Sequence, residues 1–135
     1  MVRPRMKDNH NWSMIRSEFL RWNFECGPYT VDACCDHNGV NAQVPGQYWS
    51  DCLTVNWDGH TVWVNPPYTC KDTKVSTILR HFELCRERTP ATTSAVFILP
   101  YFEGSSQPAE WDTQLKKMKN MELLHTYGAR EKLFR

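Results

Sequence analysis

The sequence predicts an α/β fold. Three observations carry the prediction. Short strand-forming runs alternate with stretches of helical periodicity, two of those runs end on a polar residue, and the most apolar run is short and stops at a proline. In such folds consecutive strands pair in parallel, and ligands gather at the carboxyl ends of the strands.

Taken in order, residues 1 to 10 are polar and basic and read as a flexible lead-in, which leaves 11 to 135 as one domain. From 11 to 23, Trp12, Ile15, Phe19 and Trp22 recur at helical spacing, flanked by Met14 and Leu20, with Asn11 as a cap. Gly27-Pro28 breaks this helix. Tyr29, Thr30 and Val31 favour a strand that ends at Asp32. Residues 36 to 50 are rich in Gly, Asn and Pro and read as a loop with at most one helical turn. Asp58-Gly59 signals a turn, and a second strand follows it as far as Asn65. Val75, Ile78, Leu79, Phe82 and Cys85 predict a helix over 72 to 88, ended by Thr89-Pro90. The run 94 to 102 reads as a central buried strand, parallel to the strand at 61 to 64. Trp111, Leu115 and Met118 predict a short helix over 109 to 119, and the last fifteen residues read as a hairpin around Gly128.

Composition narrows the function. The net charge of +1 supplies no strong field for holding nucleic acid, although Arg3, Arg5, Lys7, Lys116, Lys117 and Lys119 cluster towards the ends. These basic residues read as solvated termini and a helix face, ahead of a phosphate contact. Aromatic content is 13%, with six Trp; some of these rings read as core, and a surplus suits flat ligands such as nucleobases. No long apolar run or secretory signal is visible, which predicts an intracellular protein without a membrane span. The six cysteines include no CxxC pair, so reduced thiols are expected rather than a metal site; Cys34, Cys35 and His37, with Cys26 upstream, come nearest to a ligand cluster.

The most informative stretch is Asn65-Pro66-Pro67-Tyr68, at the end of the second strand. Each proline fixes its own φ, restrains the residue before it and lacks an N–H. The Asn65 side-chain oxygen and nearby carbonyls become acceptors gathered in a small region, which suits an amino group with two donors. Tyr68 offers a ring for stacking on a base. The chemistry that fits is methyl transfer to an exocyclic amine: acceptors hold the amine, orient its lone pair, and stabilise the charge that develops on nitrogen. A base inside a duplex must first be flipped out. A stiff turn without function is the plainer alternative.

Asn-Pro-Pro-Tyr resembles the hallmark of the amino-methyltransferases that use S-adenosylmethionine. The wider pattern includes Asp32, Asn41-Ala42, Tyr48-Trp49, Asp51-Cys52-Leu53 and Trp57 ahead of the turn, then the apolar run, Trp111 and the closing segment. In that order it resembles the small phage-type and retroelement-associated DNA N-6-adenine methyltransferases over about residues 12 to 134. The resemblance implies an abbreviated Rossmann-like methyltransferase sheet flanked by helices, with a C-terminal β-hairpin. It implies that Asn65, Pro66, Pro67 and Tyr68 hold and activate a flipped-out adenine in DNA. It also implies that Asp32, Ala33, Asp51, Leu53 and Trp12 meet S-adenosylmethionine, with Asp51 at its adenine, Leu53 packed beside it and Trp12 helping to cover it. The chain departs from the pattern where a Gly-rich loop should follow the first strand: it has Ala33-Cys34-Cys35-Asp36, with Gly39 the nearest glycine. A methylase-derived binding module without catalysis, and amino-methylation of RNA or of a protein amide, are the competing expectations.

Overall fold

A computed structural model describes residues 14–34, 42–66, 75–99, 110–119 and 121–127, with the side chains of 110–112 excepted. Among these residues the elements run α1 (Arg16–Cys26), β1 (Val31–Asp32), β2 (Thr61–Val64), α2 (Val75–Arg88), β3 (Ser94–Phe97) and α3 (Glu110–Lys117), with a 3-10 turn at Cys52–Thr54. The three strands form one parallel sheet in the order β1-β2-β3. Val31 and Asp32 lie opposite Val62 and Trp63, and Thr61 to Val64 lie opposite Ser94 to Phe97. The chain is therefore mixed α/β, with β2 and β3 the parallel neighbours that the alternation predicts.

Period-two alternation divides the sheet into two faces. Val31, Val62 and Val64 point to a core that contains Ile78, Phe82 and Cys85 of α2, with Ala95 and Phe97 packed against it. The segment joining β1 to β2 adds Cys52 and Trp57 to the same core, and α3 packs on α2. Trp63 points the other way, into a core with Met14, Phe19, Trp22 and Tyr29, where Val96 and Ile98 join it. Phe19 meets the Trp63 ring edge-on at 4.9 Å. Helix α1 thus covers one face and the later helices the other. All five apolar positions that predict α2 are buried.

The end of α1 shows why glycine stands at position 27. Its N–H donates to Asn23 O at 3.1 Å, and a Cβ added there would lie 2.5 Å from that same oxygen. The Asn23 side chain accepts from the Tyr29 N–H, and the Tyr29 hydroxyl donates to Trp22 O, so the helix end is bound to the start of β1.

Three expectations change. Among the described residues, the run from 94 is neither central nor fully buried: β3 pairs only with β2, Ser94 is exposed and Ala95 to Phe97 are half-buried, whereas β2 is the middle strand, with Val62, Trp63 and Val64 fully buried. Ala95 and Phe97 pack partly on one core and Val96 and Ile98 partly on the other, so an edge strand with contacts on both faces is apolar throughout, and apolarity does not reveal order. The first helix starts at Arg16, later than position 11, and runs three residues past 23, with Ile15 in the cap position and no side-chain cap bond; Asn11 lies outside the described residues. The terminal hairpin is not seen in 121–127, which contains no strand, and its second half lies outside the described residues. That segment is instead held by side chains. Tyr127 is buried against α1, its hydroxyl accepting from Trp22 Nε1 at 2.7 Å and donating to Glu18 Oε1 at 2.7 Å. Among the described residues no helix is long and apolar enough to cross a membrane.

Candidate functional site

The carboxyl ends of β1 and β2 bring Asp32 and Asn65 onto adjacent strands. Asp32 is the register partner of Trp63, and Asn65 follows two residues later. The Ala33 N–H donates to Trp63 O at 2.9 Å, which holds β1 against β2 past the last paired residue. On the other side of β2, the Ile98 N–H donates to Val64 O at 2.9 Å. The peptide entering Asn65 is therefore fixed from β3. Pro66 follows, fully buried. A buried proline with a fixed φ anchors the turn as a wall of the core, while Asn65 stays half-buried at its lip. Pro67 and Tyr68 lie outside the described residues, as does Trp12.

Asp32 is only 4% exposed. Its carboxylate accepts the Gln43 N–H at 2.9 Å through one oxygen and the Cys34 N–H at 3.4 Å through the other. Both donors belong to the chain that leaves and rejoins the end of β1, so the acid fixes both ends of the intervening loop. A buried carboxylate needs such donors to stay charged. The outer edge of β1 is also paired: Asp32 N–H donates to Gln47 O and Asp32 O accepts from Trp49 N–H, making a parallel bridge to Tyr48. Residues 47–49 thus shield the edge of β1 as a one-residue strand.

Asp51 follows that bridge directly. It is exposed, and its carboxylate accepts the Leu53 N–H at 3.2 Å, which caps the 3-10 turn. Leu53 is half-buried and packs against the core around Trp57. Ala33 is fully buried in that core. Among the described residues expected at a cofactor, Asp51 is exposed, Asp32 and Ala33 are buried and Leu53 is half-buried.

Four of the six Trp are described with their side chains, and among them Trp49 packs half-buried on Trp57 with ring centroids 5.7 Å apart. Trp57 is fully buried, donates to Cys52 O at 2.8 Å, and packs on Phe82 at 5.8 Å. Trp22 and Trp63 belong to the opposite core. These rings are structural. Cys26, Cys34, Cys52 and Cys85 are free thiols, and among the described residues no three metal-ligating side chains gather. Cys35 and His37 lie outside those residues.

Gln43 was not singled out by sequence. It is 6% exposed and joins Asp32 to α1 through four hydrogen-bonding groups. Nothing in the periodicity marks it, because its burial depends on contacts 11 to 29 residues away in sequence. No protein-family model, curated protein or solved structure matches this chain.

Proposed function

We propose that the chain is an S-adenosylmethionine-dependent methyltransferase acting on the exocyclic amine of adenine in DNA, on an abbreviated Rossmann-like sheet. The observation that carries this reading is the placement of Asn65: it directly follows the central parallel strand and stands before a fully buried proline, beside the strand that ends in Asp32. An amine needs acceptors that do not reorganise as charge develops on it. Asn65 Oδ1 and the carbonyls of the turn supply acceptors on a backbone tied to β3 and anchored by Pro66. Tyr68 would supply the stacking ring.

When bound, S-adenosylmethionine supplies a methyl group on a positively charged sulfur. The residues present fit it in part. Asp51 is exposed and would hold it through hydrogen bonds; Asp32 and Ala33 would shape the floor, and Leu53 the side. The pairing of 47–49 with β1 supports a cofactor role for Asp51. In nucleotide-binding α/β sheets, ligands gather at the carboxyl ends of the strands and an acid past the first strand meets the nucleoside; for Asp51 the resemblance puts that contact at the adenine. Asp51 stands nineteen positions past Asp32, just after the segment that flanks β1.

A second reading has one observation in its favour. The Asp32 carboxylate is buried and bonded to two backbone N–H groups, which suits a structural clamp in a binding module without catalysis. Calorimetry with S-adenosylmethionine separates the two: saturable heat is expected, and its absence favours the module. Methyl-labelled cofactor offered with DNA, RNA and protein in parallel identifies the acceptor, with label on DNA adenine the expected result. Label on RNA or protein alone would retain the amine chemistry and replace the substrate.

A further inference from the structure

Gln43 is a buried polar side chain between two parts of the fold that the sheet itself does not connect. Its backbone N–H donates to Asp32 Oδ2 at 2.9 Å. Its side-chain amide donates to Met14 O at 2.7 Å, just ahead of α1. Arg16, in the first turn of α1, donates to Gln43 Oε1 at 3.2 Å and also to the Gln43 backbone carbonyl. The Arg16 guanidinium also lies over the Phe19 ring, 4.9 Å from its centroid, and Phe19 packs on Trp63 of β2. Burying an amide is costly unless its groups are bonded, and here donor and acceptor both are. A buried network of this kind holds one geometry, because any displacement leaves several groups unpaired at once.

We infer that Gln43 is a positioning residue: it sets the Asp32 end of β1 from the amino-terminal helix, and so sets the floor of the cofactor site. This rests on the methyltransferase reading for its consequence, though not for its geometry. The backbone N–H of Gln43 orients the Asp32 carboxylate, and the Gln43 side chain orients that backbone. Gln43 touches neither amine nor methyl group. Its effect is transmitted through Asp32 and the start of the loop at Ala33 and Cys34.

The test uses the full chain and the variant Gln43→Met, which nearly keeps the volume and removes both side-chain bonds. Three quantities are read: the thermal transition, exchange of the residue 43 amide by NMR, and affinity for S-adenosylmethionine by calorimetry. The expected result is a cooperative transition, amide exchange about tenfold faster, and cofactor binding about tenfold weaker, since small displacements at a site have large consequences. In turnover the loss should appear as a raised cofactor KM, with a smaller change in kcat. If Gln43→Met fails to fold, Arg16→Met, which breaks the more exposed half of the network, should show the same pattern at about threefold. Wild-type exchange and wild-type affinity in the folded variant would overturn the inference. A parent protein that binds no cofactor would overturn the methyltransferase reading instead, and the exchange rate would still decide whether Gln43 holds Asp32 in place.

Discussion

The two faces of the sheet are built on different principles. On the α2 face, Trp57, Ile78, Phe82 and Val62 form a core of rings and branched side chains in which the Trp57 N–H finds a local carbonyl. On the α1 face, the apolar cluster around Phe19 and Trp63 is bordered by buried polar groups: Gln43, Asp32 and the Trp22–Tyr127–Glu18 chain. A dry core tolerates small shifts at a graded cost, whereas a polar network loses whole hydrogen bonds at once. Both faces meet the candidate site: the polar one through Asp32, the dry one through Ala33 and Leu53. The two sides of β2 should therefore respond to substitution in different ways, by graded loss of packing on one and by loss of whole hydrogen bonds on the other.

The largest effect on stability should come from the dry face. Trp57→Ala empties the centre of that core and should cost about 3–5 kcal/mol, measured by denaturant unfolding. A much smaller cost would mean that this core can collapse around the cavity. On the polar side, Asp32→Ala leaves the N–H groups of Gln43 and Cys34 without their acceptor and should cost about 1–3 kcal/mol. It should weaken S-adenosylmethionine binding more than Trp57→Ala does, at temperatures where both variants are fully folded. Equal effects of the two substitutions on binding would erase the contrast between the faces.

Tyr127 sharpens it through pH. Burial, against the hydrogen bond received from Trp22 and with the Glu18 carboxylate beside it, pushes its phenol up to about 12. Folding thus favours the neutral form. The stability it contributes is complete below the ordinary phenol range near 10 and is lost as pH rises through about 12. Tyr127→Phe should lower stability by about 1 kcal/mol at neutral pH and flatten the alkaline limb of a Tm-against-pH curve. The smallest effect belongs to the surface pair of exposed Arg88 and half-buried Asp58, joined at 3.1 Å. The hydrogen bond from Arg88 lowers the Asp58 carboxyl, so its small contribution is present above the ordinary carboxylate range and is lost as pH falls through the lowered value. Arg88→Met should lower Tm less than Tyr127→Phe, and the difference from wild type should shrink in acid to what the Arg88 contacts with Asn56 and Cys85 supply.

Much of this was legible in the residues for local reasons. The α2 stripe is a periodicity, and periodicity reports burial directly. Asn65 could be placed at a strand end because the prolines after it cannot continue a parallel ladder. What stayed hidden depends on distant partners. The rank of β3 across the sheet leaves no mark on a strand that touches a core on each face. Gln43 reads as one more polar residue in a Gly- and Pro-rich loop, since its partners Met14, Arg16 and Asp32 precede it by 11 to 29 positions. Tyr127 suits a strand equally well by propensity, and its hydroxyl contacts, not a ladder, set where the segment lies.

The central claim is that Asn65 holds an amine for methyl transfer. It is tested most directly by single-turnover transfer of label from S-adenosylmethionine to adenine in DNA, comparing the parent with Asn65→Ala at saturating cofactor. The account predicts transfer by the parent and a loss of about 100-fold or more in the variant, with cofactor affinity and Tm little changed. Transfer at the parent rate by Asn65→Ala would contradict it.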